Sequence, residues 1–177
     1  MIILDGNSEI PYPGRTAVVI GKFDGIHKGH QKLIHEASSD PSLKCVVFSF
    51  TKGSEKYLKD SGRILSRSER RKKFESLGVD FLVEYELNEE TLKTEPEVFA
   101  SEILHKRLHC AKVICGPDLS FGYKGRGNIE LLRDLGPELG IEVKVIDKLQ
   151  YKGEDISSTR IREAFKAGHK EEADEML

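Results

Sequence analysis

Thr16-Ala17-Val18-Val19-Ile20-Gly21-Lys22-Phe23-Asp24-Gly25-Ile26-His27-Lys28-Gly29-His30 is the stretch that decides the fold. Its first five residues form an apolar, β-branched run of strand length. Glycines then punctuate a turn, and from residue 29 to 37 apolar residues recur at helical spacing. The chain repeats this strand-to-helix unit. Residues 44–50, 81–85, 111–115 and 141–146 read as further strands, and 66–77, 96–108 and 128–139 as helices. A last helix is expected from Ser158 to the C-terminus, with a break at Gly168. Strands alternating with helices predict a parallel sheet. The strands are apolar throughout, as happens when helices cover both faces. The expected fold is α/β, a Rossmann-like open parallel sheet with helices on both faces. Residues 54–67 are the least ordered-looking stretch and are expected to form a mobile loop.

The composition narrows what such a domain can do. A chain of 177 residues suits one domain with a substantial core. With 38% hydrophobic and 33% charged residues it is neither a disordered tail nor a fibre. A net charge of -2 provides no bulk field for a nucleic-acid backbone, so any anion site is local. No apolar run approaches the roughly 18 residues of a membrane span. Met1-Ile2-Ile3-Leu4 runs straight into Asp5, without the pattern of a signal peptide. Cys45, Cys110 and Cys115 are odd in number, lack a CxxC pattern and lie in or beside apolar runs. They read as buried free thiols in a reducing cytoplasm. The expected partners are small molecules, with no nucleic acid and no membrane; oligomeric state is not legible.

Two helix starts are charged against the usual rule. A helix N-terminus carries unpaired N–H groups and about half a positive charge, which favours Ser, Asp or Glu and disfavours basic residues. Three helices comply, with Thr94-Glu95-Pro96-Glu97, Ser66 with Ser68-Glu69, and Asn128 with Glu130 at their starts. By contrast, His27, Lys28, His30 and Lys32 crowd one start, and Ile156-Ser157-Ser158-Thr159-Arg160-Ile161-Arg162 places two arginines at another. One such segment is ordinary. Two of them, each after a strand, point to a polyphosphate between two helix N-termini, at the carboxyl edge where open parallel sheets bind ligands. No Walker A loop and no GxGxxG fingerprint is present.

Residues 21–30 resemble the GxFDGxHxGH signature of bacterial FAD synthetases, a version of the HxGH motif of α/β nucleotidyltransferases. Residues 156–162 are similar to that family's second signature, ISSTxIR. Val113-Ile114-Cys115-Gly116-Pro117-Asp118-Leu119-Ser120-Phe121-Gly122 resembles the segment that reaches the flavin. The likeness covers the FMN adenylyltransferase half of the usual two-domain enzyme, so residues 1–177 are expected to form that one domain, without a riboflavin kinase counterpart. It departs at Thr51-Lys52-Gly53-Ser54, where the family has an Asp-Pro-His-Pro-like turn, and at Leu119, where Phe is common.

The resemblance implies that ATP and FMN, with Mg²⁺, give FAD and pyrophosphate. His27 and His30 then bind α- and β-phosphate oxygens as electrostatic donors. Ser158 and Thr159 offer hydroxyls and N–H groups, and Arg162 clamps the β/γ-phosphates. Arg160 lies on another face. Gly29 gives the backbone close approach to the nucleotide, while Gly21, Phe23 and Asp24 shape the turn that sets the histidines. Phe50, Gly116, Asp118, Phe121 and Arg126 are the remaining nucleotide- and flavin-binding candidates, Phe121 by stacking and Asp118 as a carboxylate for FMN or Mg²⁺. Mg²⁺ rides on the triphosphate, and no residue is assigned as a metal ligand. Two alternatives stand beside this: another HxGH nucleotidyltransferase, cytidylyl- or adenylyl-transferring, and a flavin- or nucleotide-binding regulator without turnover.

Overall fold

Along the strand Thr16–Gly21, Val18 and Ile20 pack to one side of a sheet and Ala17 and Val19 to the other, and all four are buried. Both faces are therefore covered, which is why no polar alternation marks the strand. The computed structural model describes residues 1–52 and 63–177. Residues 54–62 of the stretch expected to be a mobile loop, together with Gly53, lie outside the described residues.

Six parallel strands form the sheet: β1 (Ile2–Asp5), β2 (Thr16–Gly21), β3 (Lys44–Lys52), β4 (Phe81–Leu87), β5 (Cys110–Cys115) and β6 (Glu142–Val145), in the order β1-β4-β3-β2-β5-β6. β3 lies on one side of β2 and β5 on the other, so the direction of winding reverses at β2. The crevice outside the carboxyl ends at such a reversal is where open sheets bind ligands. β1 is an addition to the sequence reading. It is four residues long at the sheet edge, and Ile2 and Ile3 are 49% and 40% exposed, so it lacks the buried run that marks β2 to β5.

Helix α1 (Lys28–Ala37) buries Leu33, Ile34 and Ala37. Helix α2 (Arg67–Ser76) starts on a capping box of Ser66 and Glu69 and buries only Phe74. Polar contacts complete its docking: Arg67 and Arg71 both fork onto Glu84 of β4. Burial pushes the Glu84 carboxyl up, but the two guanidinium groups outweigh it and bring it down to about 2.

Helix α3 begins as Pro96–Val98 and continues as a π-type helix, Phe99–Arg107, where the Leu108 N–H still reaches back five residues to the Ile103 carbonyl. Its cap position is Glu95, without a side-chain bond; the Thr94 carbonyl instead accepts from the Tyr123 N–H at 2.6 Å. Helix α4 (Ile129–Leu139) is capped by Asn128, which accepts from the Leu131 N–H at 2.9 Å. A small hairpin of β7 (Gln150–Tyr151) and β8 (Glu154–Asp155) precedes α5 (Ser158–Lys166) and α6 (Lys170–Met176). The break between these two helices is at Gly168, whose φ of 80° is left-handed.

All three cysteines are buried and free, and burial pushes Cys45 and Cys115 up to about 11 and Cys110 to about 12. They stay protonated and unreactive at neutral pH. Among the described residues, no helix is long and apolar enough to cross a membrane.

Candidate active site

The turn between β2 and α1 carries unusual backbone. Phe23 and Ile26 have φ of 51° and 46°, and both side chains are fully buried. Left-handed backbone at such residues costs about 1–3 kcal/mol each and persists only where the surroundings fix it. Here the Phe23 ring packs edge-on to Phe74 at 5.6 Å and lies 4.9 Å from the His30 ring. A Cβ on Gly21 would meet the Phe23 ring at 3.2 Å.

His27 is the N-cap of α1, an unusual residue for that position. The His30 backbone N–H donates to His27 Nδ1 at 3.4 Å. That bond leaves the proton of a neutral His27 on Nε2. The two rings stack at 3.7 Å, 18° from parallel. Gly29 leaves room for this, since a Cβ there would stand 3.2 Å from the His27 ring.

Burial, with the charge of Lys73, pushes His27 down to about 4. Burial, with His27 and Arg70, pushes His30 down to about 3. Both imidazoles are neutral at pH 7. Unfolded histidines protonate near 6.5, so unfolding takes up protons between that pH and 3–4. The stabilisation is full above pH 6.5 and lost as pH falls through this window. Denaturant melts at pH 7 and pH 5 should show that loss, and a His30→Gln variant should lose less. Equal losses in both proteins would refute the assignment.

At the second basic start, Ser157 rather than Ser158 is the cap, accepting from the Arg160 N–H at 3.2 Å. The Ser158 and Thr159 hydroxyls, in the first turn, are thus not spent on capping. Neither unusual helix has an acidic residue in its first turn. Arg162 reaches back to the first turn: its Nε and Nη2 both donate to Asp24 Oδ2 at 3.2 Å. Arg160 holds the hairpin and α6 instead, donating to the carbonyls of Tyr151 and Glu154 and to Glu172.

Beside this lies an aromatic cleft of about 130 Å³, lined by Phe50, Tyr85, Leu87, Phe99, Phe121 and Gly122 among others. The Phe99 ring stands 5.2 Å from Phe121 and 6.2 Å from Phe50. Phe50 and Phe121 are candidates from the sequence; Tyr85, Leu87 and Phe99 are not. Gly122, with φ of 71°, lets the loop after β5 abut α3, for a Cβ would come within 2.8 Å of the Pro96 backbone. Nothing stands within 4 Å of a Cβ built on Gly116, so space is open above the end of β5.

Two candidates sit apart from the cleft lining. Asp118 is exposed and pairs with Lys148. Arg126 pairs with Glu95 and lies 5.3 Å over the Tyr123 ring. Among the described residues, no group of three or more His, Cys, Asp or Glu side chains gathers to hold a metal ion.

A family model described as FAD synthetase matches residues 9–160. The FAD synthetase of Listeria monocytogenes is 34% identical over 92% of this chain and 69% of its own length. A bifunctional riboflavin kinase/FMN adenylyltransferase of Buchnera aphidicola is 33% identical over 85% of this chain and 50% of its own. Among solved structures, a protein of Streptococcus pneumoniae described as a macrolide-efflux protein superposes with a TM-score of 0.79 at 29% identity, covering 99% of this chain and 61% of that one. The chain thus spans about half the length of the bifunctional relative. The matched span contains both histidines and the strand edge they stand on, and the chain belongs to the FAD synthetase family.

Proposed function

We propose that this chain transfers the adenylyl group of ATP to FMN, releasing pyrophosphate and forming FAD. The observation that carries the reading is the bond from Arg162 to Asp24. It ties the two basic helix starts together beside the stacked histidines, with an aromatic cleft next to them. The family supports the same substrates.

An FMN phosphate oxygen attacks the α-phosphorus of ATP, the bond from that phosphorus to the β-bridging oxygen breaks, and pyrophosphate leaves. FMN is already anionic at neutral pH, so no base is required. The protein aligns two anions and stabilises charge on the α-phosphate and the leaving group. Neutral His27 donates from Nε2, and His30 stands one ring away. The first turn of α5 contributes N–H groups with Ser158 and Thr159. Arg162 exchanges Asp24 for the β/γ-phosphates when the nucleotide enters. Mg²⁺ arrives on the triphosphate, with few protein ligands. The flavin ring lies against Phe50, Phe99 and Phe121, and the open space above Gly116 receives the nucleotide. This chemistry belongs to a single cytoplasmic adenylyltransferase domain.

Incubation with ATP, Mg²⁺ and a panel of acceptors, with products resolved by chromatography, tests the reading. FAD and equimolar pyrophosphate are expected from FMN, and no FMN from riboflavin. Adenylylation of a different acceptor with none of FMN would overturn it in favour of another nucleotidyltransferase. Tight ATP and flavin binding without pyrophosphate would instead indicate a regulator.

A further inference from the structure

Helix α2 presents the charged run Arg67-Ser68-Glu69-Arg70-Arg71-Lys72-Lys73. Arg67 and Arg71 are accounted for by Glu84. Arg70 goes elsewhere. Its Nη2 donates to the Ser49 hydroxyl at 2.6 Å and to the Lys22 carbonyl at 3.2 Å. The Ser49 hydroxyl itself donates to that carbonyl at 3.4 Å, and Ser49 is fully buried within β3. Thus one guanidinium ties α2 to β3 and to the first residue of the turn that leads to Phe23 and Asp24.

The surroundings are strained and incompletely paired. Buried polar atoms are nearly always satisfied, so an exception calls for a reason. Among the described residues, the buried side-chain polar atoms without a partner are His30 Nδ1 and Arg70 Nε. Both belong to groups that border the turn, His30 through the Phe23 ring and Arg70 through the Lys22 carbonyl. Phe23, between them in sequence, holds left-handed backbone.

We propose that Arg70 is a positioning residue for adenylyl transfer: by gripping the Lys22 carbonyl and the Ser49 hydroxyl it fixes the turn that sets the stacked His27–His30 pair. This rests on the reaction proposed above. Among the described residues, the charged and titratable groups around the pair and its anchor come from several elements. Arg70 is flanked by the acids Glu84 and Asp24 and by the bases Arg63 and Arg67. His30 feels His27 and Arg70, and His27 feels Lys73. The positive charge of Arg70 therefore helps to keep His30 neutral, and its fork holds the backbone beneath it. A lysine at this position would retain the charge and lose the planar two-acceptor grip.

The two contributions separate experimentally. Arg70→Met removes charge and fork, while Arg70→Lys removes the fork alone. Turnover in Arg70→Met should fall about 10²-fold, the scale of a misplaced catalytic group, with KM for ATP and FMN moving only a few-fold. In the same protein the acid limb of the rate profile and the NMR titration of the His30 ring should move to higher pH. In Arg70→Lys the titration should stay in place while turnover falls roughly tenfold.

A rise in KM with unchanged kcat would make Arg70 a substrate ligand and overturn the proposal. So would an unmoved His30 titration in Arg70→Met, or turnover within a few-fold of the unaltered protein. If Arg70→Met does not fold, Arg70→Lys decides, and full turnover there refutes the role of the fork. The NMR titration needs no substrate. Should FMN prove not to be the acceptor, it still reports whether Arg70 governs His30, so failure of the reaction assignment and failure of this inference are distinguishable.

Discussion

His30→Ala lowers the rate of FAD formation by a factor of about 10²–10³, the usual loss when one charge-stabilising donor is removed from a phosphate or oxyanion site. The stability cost is small by comparison. The lost ring is half-buried and its Nδ1 has no partner, so truncation abandons a stacking contact at 3.7 Å but no side-chain hydrogen bond. The helix start survives as well, because the cap bond uses the His30 backbone N–H and the His27 ring. His27→Ala removes a cap along with a donor and should therefore cost both turnover and stability. The double variant should fall well short of the product of the single losses, since the stacked rings act as one unit. Steady-state assays beside thermal melts check all three. Turnover within a few-fold of the unaltered protein in His30→Ala would remove the histidine from the phosphate site.

Phe48→Ala carries the largest expected stability effect. Phe48 is fully buried on β3, with rings of Tyr85, Phe99 and Phe50 at 5.1, 5.2 and 5.5 Å. Removing a core phenyl costs about 3–5 kcal/mol, through lost burial and the cavity left behind. For a domain of this size that lowers the melting temperature by roughly 10 °C. The loss reaches the cleft as well. Three of the rings around Phe48 also line it, so without their common backing they lose their fixed spacing and KM for FMN rises. Phe165→Ala is the control: that ring is 38% exposed, and its removal should change stability by no more than about 0.5 kcal/mol. Equal melting temperatures for the two variants would contradict the described packing.

The parts of the fold legible in the sequence are those with a one-dimensional cause. Strands β2 to β5 carry apolar runs because both sheet faces are covered there, while β6, at the sheet edge, alternates Glu142 and Lys144 with Val143 and Val145. The starts of α1 and α5 stand out because basic residues there oppose the helix field. β1 leaves no such trace, being a short edge strand with exposed isoleucines. The π-type winding of Phe99–Arg107 leaves none either, since its apolar spacing differs too little from that of an α-helix. In the site, Phe50 and Phe121 come from recognisable segments. Tyr85 and Phe99 look like ordinary core residues. They reach the cleft through tertiary pairing, Phe50 standing opposite Tyr85 in the β3–β4 register. Arg70 sits in a run of basic residues, and nothing local distinguishes the one that turns to the Lys22 carbonyl.

The Arg162–Asp24 bond spans 138 residues, and that separation sets an order of events during synthesis. A ribosome adding about 5–20 residues per second needs roughly 7–28 seconds between the two. By then Phe50, Tyr85, Phe99 and Phe121 have all been made, so the residues of the aromatic cleft precede the tie between the two basic helix starts. A stalled or prematurely released chain ending before residue 162 would contain the residues of the aromatic cleft and lack the Arg162–Asp24 tie.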